Sequence, residues 1–279
     1  MIVVPEWFFL LSVGLFGLLF GSMGNVIIWR VPRGESIVAP SSHCPSCGNA
    51  IRWYDNVPVL SWLILRARCR DCGASISARY PLVEAISGLL WLLAGLLWGM
   101  SMRVGFGIAF FYALLVLTFI DLDHHRLPNG LVALLAGIGV VGVALGVATG
   151  FEVVPLAPLP ESGLLSSPMA YAALGAILGA GLSGLLAAAY SMVRGTTGLG
   201  MGDVKLLGAL GIFLGPYVLM VLVIGSMLGM IASVLLMRRG ADMSKTRIPF
   251  GPYLAAAAVV VCVVGTPLWT WYARLVLLV

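Results

Sequence analysis

The chain has 279 residues with a mean hydropathy of +1.06; 61% of them are apolar and only 10% carry charge. A soluble domain carries about 25% charged residues, so this balance excludes a water-soluble globule and implies a polytopic membrane protein. The net charge of +5 does not point to nucleic acid, because the basic residues cluster in the loops between apolar runs.

The first apolar run, Phe8 to Trp29, follows an N-terminus without Lys or Arg. A secretory signal would need a basic segment and a small-residue cleavage site, so this run is read as a retained span. The pattern predicts spans at 7–29, 82–101, 104–121, 130–149, 169–193, 205–215, 217–237 and 250–272, about eight helices in all. The polar stretch 30–81 separates the first two and holds Arg30, Arg33, Arg52, Arg66, Arg68, Arg70 and Arg79. Arg238, Arg239, Lys245 and Arg247 lie before the last span, while loop 150–168 has Glu152 and Glu161 and no basic residue. With the N-terminus outside, fourteen of the sixteen Lys and Arg residues fall on the cytoplasmic side.

Residues 205–237 form one apolar run broken at Gly215-Pro216. A single helix of that length would reach about 50 Å, against a hydrocarbon core of about 30 Å. Two short crossings are expected, with a re-entrant hairpin as the alternative. Small residues repeat along several spans, as in Gly175-Ala176-Ile177-Leu178-Gly179, which suits close helix packing. No internal repeat supports a transporter built from inverted halves.

The stretch 30–81 contains Cys44-Pro45-Ser46-Cys47-Gly48 and Cys69-Arg70-Asp71-Cys72-Gly73. Two such knuckles supply four thiolates for a tetrahedral structural zinc, and a reducing cytoplasm favours metal over disulfides. Between them lie Trp53, Tyr54, Val57, Val59, Leu60, Trp62 and Leu63, expected to form a small core beside the metal. His43 is read as a flanking surface residue, and Cys262 in the last span as a small buried apolar side chain.

Two aspartates stand at the mouths of spans: Asp121, after Leu117-Thr118-Phe119-Ile120, and Asp203, in Gly200-Met201-Gly202-Asp203-Val204-Lys205. Ionisable groups at a bilayer edge are functional candidates, and two carboxyls sharing one proton can activate water. Asp123 rivals Asp121, but the two point about 200° apart on a helix and Asp121 is the deeper. Asp203 would otherwise serve as a helix N-cap. Lys205 is read as a boundary lysine, and His124 and His125 as solvated loop residues.

With these motifs in place, the chain resembles the bifunctional type IV prepilin peptidases, GxGD-type membrane aspartic proteases. The likeness runs nearly end to end. It rests also on Gly21-Ser22-Met23-Gly24-Asn25 through Arg30-Val31-Pro32, on Ile76-Ser77-Ala78-Arg79-Tyr80-Pro81-Leu82-Val83-Glu84, and on Pro249-Phe250-Gly251-Pro252. The spacing of Asp121 to Leu127-Pro128 matches the family pattern and selects Asp121 over Asp123. Met23-Gly24 replaces a bulkier pair, and loop 150–168 is longer than usual.

The resemblance implies cleavage, after a glycine, of the short basic leader of type IV prepilins and pseudopilins by Asp121 and Asp203. It further implies N-methylation of the new terminus with S-adenosylmethionine, for which Asn25, Arg30 and Glu84 are the candidate binding residues. The organisation expected is a first span (1–29), a four-cysteine zinc domain (30–81; Cys44, Cys47, Cys69, Cys72) and a membrane peptidase domain (82–279). The protein is placed in the bacterial inner membrane with its site facing the cytoplasm and with lipid, not nucleic acid, as its surroundings. A peptidase without methyltransferase activity is the main alternative; a proton-coupled transporter is the other.

Overall fold

A computed structural model describes residues 4–160, 163–195, 198–240 and 248–276. Glu161, Lys245 and Arg247, which the charge argument above counted, lie outside them. The described residues are helical and contain no strand beyond two isolated bridges, His43 with Ala50 and Arg68 with Ser75. In lipid each backbone polar group needs an internal partner, which helices supply.

The elements are α1 (Glu6–Arg30), α2 (Leu60–Ile64), α3 (Arg79–Trp98), α4 (Met102–His124), α5 (Asn129–Thr149), α6 (Pro168–Ile177), α7 (Ser183–Arg194), α8 (Met201–Leu214), α9 (Val218–Arg238) and α10 (Gly251–Val276). A π turn, Leu178–Leu182, joins α6 to α7, so the span expected at 169–193 is one rod with a widened middle.

Seven segments are long and apolar enough to cross a membrane, and one of them is 201–238 taken whole. That segment is not one helix. Gly215 has φ +58° and the chain reverses there through Gly215–Tyr217. A Cβ at Gly211 or Gly175 would strike the other's backbone, and Gly179 meets Leu207, so α8 runs antiparallel to α6. Gly225 meets Leu254, Gly229 meets Phe250 and Tyr217 meets Gly265, so α9 runs antiparallel to α10. Two crossings broken at Gly-Pro therefore replace a single long one.

The glycines expected to bring helices together do so. A Cβ at Gly21 would lie 2.6 Å from the Glu84 Cα, and Gly17 abuts Gly88 and Trp91, which seats α1 against α3. The main core gathers Phe110, Leu114, Leu117, Leu206, Leu210, Phe213 and Leu254; the Phe110 and Phe213 rings are 4.8 Å apart. α8 is enclosed along nearly its whole length. Its far end is plugged by Val153, Val154, Leu156 and Ala157, with the Leu156 N–H donating to the Phe213 carbonyl at 2.6 Å.

The cysteine loop departs from expectation. Trp53 is 83% exposed, and Tyr54, Val57, Leu60 and Leu63 are exposed with it, so these side chains do not form a core. A short loop cannot enclose that many apolar groups; of the seven, Val59 and Trp62 are half-buried, and the Trp62 Nε1–H donates to the Ile76 carbonyl at 3.1 Å.

Candidate active site and metal centre

Asp121 sits in the last turn of α4, where the helix dipole disfavours a carboxylate. It finds compensation on another helix. The Gly251 N–H, in the first turn of α10, donates to Asp121 Oδ2 at 2.9 Å, and the carboxyl is buried. A Cβ at Gly251 would lie 2.7 Å from that oxygen, so only glycine lets the backbone approach this closely. Asp203 lies in the first turn of α8 and leans back toward Gly200, whose missing side chain leaves it room. The N-cap of α8 is Gly200 and not Asp203; the carboxylate stands at the third helical position and reaches back to the Gly200 backbone.

Both aspartates line one cavity of about 320 Å³ and are close enough to feel each other's charge. Its other walls are His125, Arg126, Leu127, Asn129, Met201, Gly202 and Lys205. Lys205 Nζ donates to Asn129 Oδ1 at 2.9 Å and so bridges the mouth of the cavity from α8 to α5. His125 caps α4 in the left-handed region (φ +50°); it is exposed, as expected of a loop residue, and also lines the cavity. Asp123 is engaged elsewhere: both its oxygens take N–H bonds from Arg79, at 2.5 and 2.6 Å. A buried carboxyl and a half-buried one lining the same open cavity beside a lysine suit proton transfer to and from water.

The sequence reading missed Gly251, His125 and Asn129. Gly251 was visible only as part of Pro249-Phe250-Gly251-Pro252, and nothing local signals a partner 130 residues earlier.

The four cysteines come together as expected. The Sγ atoms of Cys44, Cys47, Cys69 and Cys72 lie within 4.8 Å of one another, and Cys44 and Cys72 are 3.9 Å apart. Tetrahedral zinc with Zn–S bonds of about 2.3 Å needs sulfurs about 3.8 Å apart, so the set fits. The two knuckles share one design. Gly48 (φ +75°) and Gly73 (φ +73°) turn the chain, and their N–H groups donate to the Cys44 and Cys69 carbonyls. Backbone N–H groups of Cys47 and Ser46 aim at the Cys44 sulfur and lower its thiol to about 6. Burial and the neighbouring thiols push Cys47 up to about 11, so the four sulfurs without an ion do not all ionise together. Arg70 clamps Asp55 through both ends of its guanidinium, and holds that carboxyl below the usual range.

Asn25, Arg30 and Glu84 lie where the loop joins α1 and α3, each with its own backbone partner. Asn25 Nδ2 donates to the Tyr80 carbonyl at 3.1 Å, tying α1 to α3. Arg30 is buried and donates to the carbonyls of Ser36 and Pro40 at 2.9 and 2.7 Å. Glu84 pairs with neither Arg79 nor Arg30; its Oε2 accepts the Val59 N–H at 2.7 Å. All three make backbone hydrogen bonds that brace the loop against the bundle, and Glu84 also accepts from the Ser22 side chain.

Comparison with known proteins bears on the whole chain. Residues 15–98 match the bacterial peptidase A24 N-terminal domain, and residues 108–236 match the type IV leader peptidase family. The chain is 34% identical to a prepilin leader peptidase/N-methyltransferase of Aeromonas salmonicida, over 97% of this chain and 96% of that protein. It is 31% identical to one of Legionella pneumophila, over 98% and 97%. It is 38% identical to a type 4 prepilin-like proteins leader peptide-processing enzyme of Escherichia coli, over 87% and 89%. No solved structure matches the chain.

Proposed function

Because the chain belongs to the type IV leader peptidase family, we propose that it removes the leader of type IV prepilins and pseudopilins after a glycine and then methylates the new N-terminus. The peptidase chemistry is assigned to Asp121 and Asp203. What supports this assignment is their convergence on one cavity from helices α4 and α8, with Asp123 tied to Arg79.

The two carboxyls lining this cavity are proposed to hold one proton between them. The ionised member takes a proton from water as the oxygen attacks the scissile carbonyl, and the protonated member hands its proton to the carbonyl oxygen. The resulting diol collapses as a proton passes to the departing amide nitrogen, which leaves as an amine. No metal is used in this step. The substrate's apolar helix lies in the membrane and its basic leader in the cytoplasm, on the side where the arginine-rich loop also lies. We place the protein in the bacterial inner membrane on that basis.

Zinc is proposed as the ion of the cysteine set, held by Cys44, Cys47, Cys69 and Cys72. With four thiolates no position is left open for catalysis, so its role is to fix the loop. S-adenosylmethionine is the methyl donor that the relatives' names imply. Asn25, Arg30 and Glu84 keep polar atoms beyond those in their backbone bonds and remain the residues proposed to hold it; no step is routed through them.

One assay tests the reading. Detergent-solubilised protein is incubated with a prepilin and labelled donor, and leader loss and N-methylation are read by mass spectrometry. Asp121→Asn and Asp203→Asn should each abolish leader loss while helix content is kept; Asp123→Asn should still cleave. A near wild-type rate in either of the first two would remove the dyad.

A further inference from the structure

The cysteine loop presents an apolar face that its own fold leaves uncovered. Leu60, Leu63 and Ile64 are 53%, 59% and 66% exposed. They stand at i, i+3 and i+4 on α2, one side of a helical turn. The other side is anchored: Ser61 is buried and donates to the Tyr54 carbonyl, and Trp62 donates to Ile76.

Strained backbone brackets α2 at both ends. Val59 holds φ +60°, a rare state for a β-branched residue, and its N–H is the one bound by Glu84. Arg66 and Ala67 follow at φ +51° and +58°, and their N–H groups fold back on the carbonyls of Leu63 and Trp62. Such strain persists only where the surroundings enforce it. Here it fixes which way α2 faces and keeps Arg66 within one turn of Leu63.

Two further observations say what covers this face. The first is depth. Glu84 lies five residues inside α3, about 7.5 Å along a helix that starts its crossing at Arg79. The bond from Val59 to Glu84 therefore ties the start of α2 to the second turn of α3, a helix long and apolar enough to cross a membrane. The second is charge. Arg52 and Arg70 are paired with Asp71 and Asp55, whereas Arg66 and Arg68 are exposed and in no ion pair among the described residues. Apolar side chains flanked by unpaired arginines at headgroup depth complement an anionic leaflet.

We propose that α2 is an interfacial anchor: Leu60, Leu63 and Ile64 enter the acyl boundary of the leaflet on the cysteine-loop side, while Arg66 and Arg68 bind anionic lipid headgroups. The loop is then held from two directions, by Glu84 from within the bundle and by lipid from below. The proposal does not depend on the peptidase reading.

Hydrogen exchange of the full, metal-loaded protein tests it. The protein is placed in nanodiscs of phosphatidylcholine, with and without phosphatidylglycerol, and exchange is read on peptides covering 57–68. Exchange should be roughly fivefold slower with the anionic lipid. The double change Arg66→Gln/Arg68→Gln, which leaves the apolar face intact, should bring it back to the phosphatidylcholine rate. Leu63→Glu/Ile64→Glu should raise exchange in both discs. Equal exchange in detergent, neutral discs and anionic discs overturns the proposal. So does protection that arises only when prepilin is added, since the face would then dock substrate.

Discussion

Gly251 does for Asp121 what no side chain on α4 can: it brings a backbone donor to 2.9 Å of a carboxylate that its own helix end repels. A methyl group there would sit 2.7 Å from Oδ2 and push the carboxyl aside. Gly251→Ala should therefore lower kcat by about 100-fold with KM little changed, since a displacement of about 1 Å at a reacting group costs that much. Gly229→Ala, whose Cβ would meet its neighbours at 3.5 Å or more, should leave both constants alone and serves as the control. Steady-state kinetics on a prepilin substrate reads both. The choice of Asp121 over Asp123 was legible from depth alone, because an apolar run leads directly into the former. Gly251 was not legible, because a hydrogen bond across 130 residues leaves no mark on either stretch.

Helix contacts set the next scale. α6 and α8 touch backbone to backbone, so a Cβ at Gly175 would lie 2.2 Å from the Gly211 carbonyl oxygen. Gly175→Ala should cost roughly 1–3 kcal/mol or more in stability through overpacking, read as a drop in Tm in detergent. Gly137→Ala on α5, where nothing lies within 4 Å, should not lower it. In the loop, Cys72→Ser or a strong chelator should remove the metal, measured as metal per chain, and speed hydrogen exchange across 41–76 while the membrane helices keep theirs. The two knuckles could be read from spacing because each is closed by its own few residues. The expected loop core could not. A run of apolar side chains tells that something will cover them, but not whether the cover is protein or lipid.

Taken whole, the molecule encloses its most important helix and keeps it short. α8 has 14 residues, about 21 Å, in a bilayer whose hydrocarbon spans about 30 Å. The shortfall of about 9 Å is shared by the two ends. At one, residues 153–157 fold in as a lid of apolar chain; at the other, the Asp203 end opens on the cavity. A helix this short, open at its Asp203 end, suits a site that draws water below the headgroup level, where the proposed chemistry of Asp121 and Asp203 would act. On the proposed assignment of Asp121 and Asp203, a prepilin would be cut without leaving the membrane, and a detached peptide would have no apolar segment to carry it to that level. A soluble peptide with the same cleavage sequence but no apolar tail should be processed far more slowly than the intact precursor in the same detergent, whatever its concentration.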